Sequence, residues 1–303
     1  MIFKSYDDVM ARISAATSPR RLAIAAAEDM HTIEAVIKGK RDSIIEPVLI
    51  GNRQKIEGIL VELEQAVSEY EIIETVDDEA SALMAVQMIR EGKADFLMKG
   101  RLETAKIMRP VINKETGIGQ GRVISHFGMM QLPGYHKLIV ITDTGIVTSP
   151  TLEQKRDILL NAVDTLRAMG YDKPKVAVLA AVETVNPKMP ETADAAELKQ
   201  MNLNGTIPNC LVEGPISFDI LMNREVAAVK GYSSPVVEDA DILLVPDVTA
   251  GNLLSKALVR FAGARMIGFA VGAKVPLVIT SRGSSVENKF MSLVIASAAS
   301  TKA

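Results

Sequence analysis

The sequence predicts an α/β protein, and three observations predict it. Short apolar runs recur along the chain, polar or glycine-bearing turns follow them, and helical patterns follow the turns. Strands apolar on both faces that alternate with helices indicate a parallel sheet covered by those helices. The length of 303 residues suits one large or two ordinary domains and allows a sizeable core.

Taken in order, the predicted strands occupy residues 22–27, 48–50, 71–73, 96–98, 138–141, 176–179, 242–245 and 277–279. Helical spacing fits residues 78–90, 250–261 and 285–299. A further helix is predicted from Pro150. Ser149 can cap it, Pro150 suits its first position, Leu152, Leu159, Val163 and Leu166 recur at helical spacing, and Gly170 ends it. The most turn-rich stretch is GIGQGR (117–122) followed by LPG (132–134), and a domain crossing is placed near 134. GKADFLMK (92–99) and EDADILLVPD (238–247) share an Ala-Asp-strand-polar cadence, as two halves of similar architecture would produce.

Composition narrows the function. With 48% hydrophobic and 23% charged residues, the chain is neither disordered nor of low complexity. Lys plus Arg number 34 against 37 Asp plus Glu, aromatics are 4% and Trp is absent, which argues against a nucleic-acid surface. The single cysteine, Cys210, removes any internal disulfide and any cysteine-cluster metal site. It sits in an apolar NCLV run (209–212) and reads as a buried, inert thiol in a reducing cytoplasm. The N-terminus lacks the basic-then-apolar order of a signal peptide. No apolar run approaches the roughly 18 residues of a membrane span, and residues 266–280 are interrupted by Lys274.

Ligands of open parallel sheets bind at the carboxyl ends of strands, so the turns there carry the candidate chemistry. Four stand out: MKGR (98–101), TDTG (142–145) leading to Ser149-Pro150, PDVTAGN (246–252) and TSRGSSVEN (280–288). In the last, Ser284 as cap and Glu287 three residues on form a capping box, giving a helix N-terminus that favours an anion. Arg282 beside it can grip that anion at two points, and a phosphate is the natural guest. Lys99 and Arg101 at a helix start oppose the helix dipole, a conflict that an anion relieves. Arg109-Pro110 lies near a helix end, and Asp247 equally fits a turn-forming role.

Other chemistries are excluded. Neither Gly39-Lys40 nor Gly92-Lys93 continues into a phosphate-binding loop motif, and His31, His126 and His136 lack metal-ligand spacing. Gly117, Gly119 and Gly121 follow a helix rather than a strand, unlike a dinucleotide loop.

Together these turns resemble the phosphate acetyl/butyryl transferase family over nearly the whole chain. The resemblance rests on ADFLMKG (94–100), TAKIMRP (104–110), VISHF (123–127), DTGIV (143–147), EGPISFD (213–219), PDVTAGN (246–252) and PLVITSR (276–282). ETVNPKMPETADA (183–195) resembles the butyryltransferase branch in particular. The resemblance implies two α/β domains with parallel or mixed sheets, helices on both faces and an inter-domain cleft. Domain I would comprise residues 1–134 plus 282–303, and domain II residues 135–281. It also implies a homo-oligomer, and the reaction acyl-CoA + phosphate ⇌ acyl phosphate + CoA with butanoyl or a branched short acyl group. Coenzyme A enters as a substrate, and no metal or redox cofactor is expected.

By the family pattern Ser281 stabilises the thiolate or the carbonyl oxygen, Arg282 holds the phosphate, and Arg109 is a second anion ligand. Lys99, Ser125, Asn252 and Asn288 complete the expected substrate contacts. The net charge of −3 then hides a local cluster of Lys99, Arg101, Arg109 and Arg282. One departure concerns the base. Acetyltransferase relatives carry Asp in the pattern Ser-Arg-Gly-x-Ser-x-x-Asp, whereas this chain has Asn288, and an amide cannot take the thiol proton. Thiol ionisation in a cationic site is a substitute. Thr249, where relatives often carry an acid, makes the site more positive. Two other readings stand beside this one: a two-domain metal- and NAD-dependent dehydrogenase, and a non-catalytic CoA-binding protein.

Overall fold

The protein is seen in a computed structural model that describes residues 2–15, 18–281 and 283–300. The chain begins α1 (Tyr6–Ser14), β1 (Arg20–Ala25), α2 (Met30–Arg41), β2 (Ile45–Gly51), α3 (Arg53–Glu62), β3 (Glu71–Glu74), α4 (Asp78–Arg90), β4 (Phe96–Lys99) and α5 (Thr104–Val111). It continues through β5 (Ser125–Gln131), β6 (Ile139–Thr142), α6 (Leu152–Ala168), β7 (Lys175–Leu179), α7 (Pro190–Leu203), β8 (Leu211–Ile216), α8 (Phe218–Met222) and α9 (Arg224–Val229). It closes with β9 (Ile242–Leu244), α10 (Val248–Phe261), β10 (Arg265–Val271), β11 (Leu277–Val278) and α11 (Val286–Ala299). None of the described helices is long and apolar enough to cross a membrane.

The chain divides into two compact units, Asp7–Gly121 with Gly268–Ala303, and Met1–Tyr6 with Arg122–Ile267. The boundaries differ from the expected 134 and 281 because of strand pairing. β5 runs antiparallel beside β6, with Met130 opposite Ile139, so the segment from 122 onward belongs with the second unit. β11 lies parallel to β4 and antiparallel to β10, which draws residues 268–281 into the first.

In the first unit the strand order is β3-β2-β1-β4-β11, all parallel, with β10 antiparallel beyond β11. Leu22, Ile24, Leu49, Phe96 and Leu97 are fully buried in these strands, and α2 and α11 contribute Ile33, Val36, Leu293, Val294 and Ile295. Each such side chain removed from water stabilises by about 1.5–3 kcal/mol. In the second unit the order is β5-β6-β9-β7-β8, parallel except for β5. Ile141, Ala177, Leu243 and Ile220 form its core, with Leu254 and Leu258 of α10 packed against it.

Charges pin the amino-terminal edge of the second sheet. The buried Lys137 ammonium donates to Asp241 Oδ1 at 2.6 Å, and Asp241 Oδ2 accepts from the Lys175 backbone at 2.8 Å. Burial pushes the neighbouring Asp239 carboxyl up, but hydrogen bonds from Lys137 and Lys175 outweigh it and hold the group at about 2. The starts of β6, β7 and β9 are thereby fixed together. Cys210, just before β8, is buried, and burial pushes its thiol up to about 11, as expected of an inert core cysteine.

Candidate active site

Parallel pairing places the strand ends of the first unit side by side, Ala25 opposite Lys99 and Met98 opposite Val278. The loops after β1, β4 and β11 therefore leave from one edge. Gly100 lets two of them touch: a Cβ there would overlap the Ala26 carbonyl oxygen. That close approach is fixed by Gly100 N–H donating to Ala25 O and Arg101 N–H to Ala26 O, each at 2.8 Å.

Lys99 is 3% exposed, and its ammonium donates to Leu102 O at 2.9 Å and Gly100 O at 3.3 Å. Its charge thus turns back onto the carbonyls of its own loop, and the exposed cation of MKGR is Arg101. Arg109 is exposed in the last turn of α5, which runs on through Pro110 to Val111. A helix end carries partial negative charge, which favours the Arg109 cation in that last turn.

Ser281 follows β11, exposed, and its carbonyl accepts from Ser284 N–H at 3.1 Å. Arg282 lies outside the described residues. The cap of α11 is Ser285 rather than Ser284: its hydroxyl accepts from Asn288 N–H at 3.3 Å, and its backbone is extended. Ser284 N–H is tied into the Ser281 turn, so it is not open to the Glu287 carboxylate as a capping box with Ser284 would require. Asn288 becomes the third helical residue, exposed, and Glu287 pairs instead with Lys38 Nζ at 2.9 Å. No capping box forms with Glu287.

Inward of this turn lies Lys289, a residue the sequence reading missed. Its side chain is 2% exposed, and its ammonium stands 3.3 Å from Thr280 Oγ1 and 3.7 Å from Asp29 Oδ2. Burial pushes the Lys289 ammonium below its usual range, against the opposing pull of Asp29. Asp29 caps α2, accepting from Thr32 N at 3.0 Å and Thr32 Oγ1 at 2.6 Å. Burial pushes the Asp29 carboxyl up, but Thr32 and Lys289 together bring it below the usual carboxylate range. Only the i to i+4 relation to Ser285 signals Lys289 in the sequence, and a lysine in a helix normally faces water.

In the second unit DTGIV follows β6 and PDVTAGN follows β9, at the carboxyl ends of those strands. The buried Asp143 carboxylate accepts from Gly145, Ile146 and Val147 N–H groups at 2.8, 3.0 and 3.0 Å, which shapes the turn. Thr144 Oγ1 lies 2.8 Å from His126 Nδ1, and Thr142 Oγ1 donates to His126 O at 2.7 Å. Burial pushes the His126 imidazole below its ordinary 6.5, with the Asp143 charge opposing. Asn252 Nδ2 donates to Thr144 O at 3.4 Å, and Asp247 caps α10 through Ala250 N–H at 2.9 Å, its turn-forming role. Ser125 is fully buried, with Oγ accepting from Asn161 Nδ2 at 3.1 Å. Ser125, expected to contact substrate, thus has its hydroxyl turned from β5 onto Asn161 of α6. The expected residues thus separate into Lys99, Arg109, Ser281 and Asn288 in the first unit, and Ser125 and Asn252 in the second.

The sequence model of the family described as phosphate acetyl/butaryl transferase matches residues 65–297. A phosphate acetyltransferase of Thermotoga maritima is 42% identical over 276 residues, covering 91% of this chain and 94% of that one. A phosphate butyryltransferase of Clostridium acetobutylicum is 36% identical over 295 residues, covering 97% and 98%. The crystal structure of a branched-chain phosphotransacylase from Enterococcus faecalis V583 superposes with a TM-score of 0.82 at 30% identity, covering 92% and 98%. A match of this extent, in sequence and in fold, settles the class of the chain: it belongs to the phosphate acetyl/butyryl transferase family of phosphate acyltransferases.

Proposed function

We propose that the chain is a phosphate butyryltransferase that also accepts branched short acyl groups, interconverting acyl-CoA plus phosphate with acyl phosphate plus CoA. The observation that carries this reading is the 183–195 segment after β7, which resembles the butyryltransferase branch, in a chain that aligns with such a relative over 97% of its length. The Enterococcus neighbour, named for branched-chain transfer, supports the wider acyl range.

The chemistry follows from the residue types. In the direction of CoA acylation the thiolate attacks the acyl-phosphate carbonyl, the C–O bond to phosphate breaks, and phosphate leaves with its electron pair. Cations and N–H donors must meet that anion. Arg109 and Arg282 supply charge, Ser281 donates to the thiolate or the carbonyl oxygen, and the exposed amide of Asn288 contributes a neutral hydrogen bond. Asn252 contacts substrate from the PDVTAGN turn. Lys99 shapes its loop through Leu102 and adds charge from beneath. No residue is assigned as general base. CoA serves as substrate with no resident cofactor, and the protein works as a homo-oligomer in the cytoplasm without nucleic-acid or membrane partners.

Phosphate-dependent release of free CoA, read with a thiol reagent across acetyl-, propanoyl-, butanoyl- and branched acyl-CoA, tests the reading. The expected optimum lies at butanoyl or a branched chain. A clear preference for acetyl-CoA would overturn it. One CH₂ is worth about 0.8 kcal/mol, so neighbouring chain lengths differ by only a few-fold.

A further inference from the structure

Lys289 draws three separate elements to one buried point. Its own helix is α11, its hydrogen-bond partner Thr280 follows β11, and Asp29 opens α2. A lysine is a costly choice for such a place, because a buried ion pair often stabilises less than apolar side chains of the same size. Neither contact is short, at 3.3 and 3.7 Å, so the pair is not built for maximal attraction. What an apolar side chain cannot do is hold the Thr280 hydroxyl in one direction while also facing the α2 cap. Thr280 immediately precedes Ser281, which is exposed.

We propose that Lys289 is a positioning residue for acyl transfer: its ammonium anchors Thr280 against Asp29 and so fixes the strand end that presents Ser281. The inference rests on the proposed phosphate acyltransferase reaction of this chain. It also gives meaning to the departure at the neighbouring position. Asn288 is exposed and neutral, so a buried cation one residue further on is the charge that α11 brings beneath the Ser281 turn. The carboxylate of Asp29, the second contact of the ammonium, is a half-buried helix cap bonded to Thr32. The arrangement therefore holds a direction, with the cap of α2 as its fixed end.

The test measures phosphate-dependent CoA release and thermal unfolding of the full chain for Lys289→Met, Lys289→Arg, Thr280→Val and the Lys289→Met/Thr280→Val pair. Expected for Lys289→Met is a fall in kcat of about tenfold or more, with KM for phosphate and acyl-CoA within about threefold and the melting temperature held. Lys289→Arg restores part of kcat. The double variant is no slower than the worse single one, since both remove the same contact. A Lys289→Met enzyme within about twofold of the wild-type kcat overturns the proposal, as does a double variant whose losses multiply. If Lys289→Met does not fold, Thr280→Val decides, and a wild-type kcat there is equally fatal. A wild type that releases no CoA overturns the proposed function, and this inference with it; an active wild type with indifferent variants overturns this inference alone.

Discussion

Gly251 in the first turn of α10 packs directly on Asp143: a Cβ at that position would stand 2.8 Å from the Asp143 carbonyl oxygen and 2.7 Å from Val245 Cγ2. The backbone of PDVTAGN thereby rests on the backbone of DTGIV, and Asn252 can reach Thr144 O. Gly251→Ala forces these backbones apart. Overpacking of this kind costs about 1–3 kcal/mol. A calorimetric melt is expected to show a fall of several degrees, with kcat lowered further than the melt implies, because the displaced turn holds Asn252. An unchanged melting temperature would show that the contact is slack.

Ser125 separates packing from ligand binding. Ser125→Ala removes the acceptor for one Asn161 N–H, while Asn161 Nδ2 keeps Val123 O at 2.8 Å. The expected cost is about 1 kcal/mol of stability, seen in denaturant unfolding, with KM for phosphate unaltered. A large rise in that KM at unchanged stability would place Ser125 among the substrate contacts.

Much of this architecture was legible because buried parallel strands write themselves as unbroken apolar runs. Residues 96–98 and 176–179 are such runs, and β4 and β7 form there. The antiparallel strands were not legible. β5 reads SHFGMMQ, with polar ends and a central glycine, and β10 reads RMIGFAV, an apolar stretch broken by Gly268 that nothing local marks off as a separate strand. Their pairing is also what moved the unit boundaries. Residue types at strand ends singled out Ser281 and Asn252 as candidates. Burial did not follow from type: Lys99, Ser125 and Lys289 look exposed by composition and lie inside. The helix start at Ser285 was not legible because two adjacent serines are equally good caps by residue type.

Asn288→Asp places a carboxylate at the third residue of α11. A negative charge in the first helical turn stabilises by about 0.3–1 kcal/mol at low salt. The melting temperature is therefore expected to rise slightly at pH 7, and the rise to shrink as salt screens the charge. The kcat is expected to change less than about tenfold, because a positioned general base contributes about 10²–10⁴ and the proposed reaction assigns no base at 288. A hundredfold gain in kcat would show that the fold is built to use a base at 288.

His126 sets an acid limit on the second unit. Burial pushes its imidazole below the ordinary 6.5, and the Asp143 charge only partly offsets this. The unfolded chain, with its imidazole at the ordinary value, then binds more protons than the folded chain between the two pKa values. Stability from this group is complete above about pH 6.5, falls as pH drops through that value, and stops falling once the folded imidazole is itself protonated. Protonation would place a second donor at Nδ1, where neutral His126 has the choice of accepting from Thr144 Oγ1 at 2.8 Å. Unfolding midpoints in denaturant between pH 7.5 and 5 are expected to decline more steeply for the wild type than for His126→Asn, which keeps a polar atom near Nδ1 and does not titrate. Parallel declines would mean that other groups carry the acid sensitivity of the second unit.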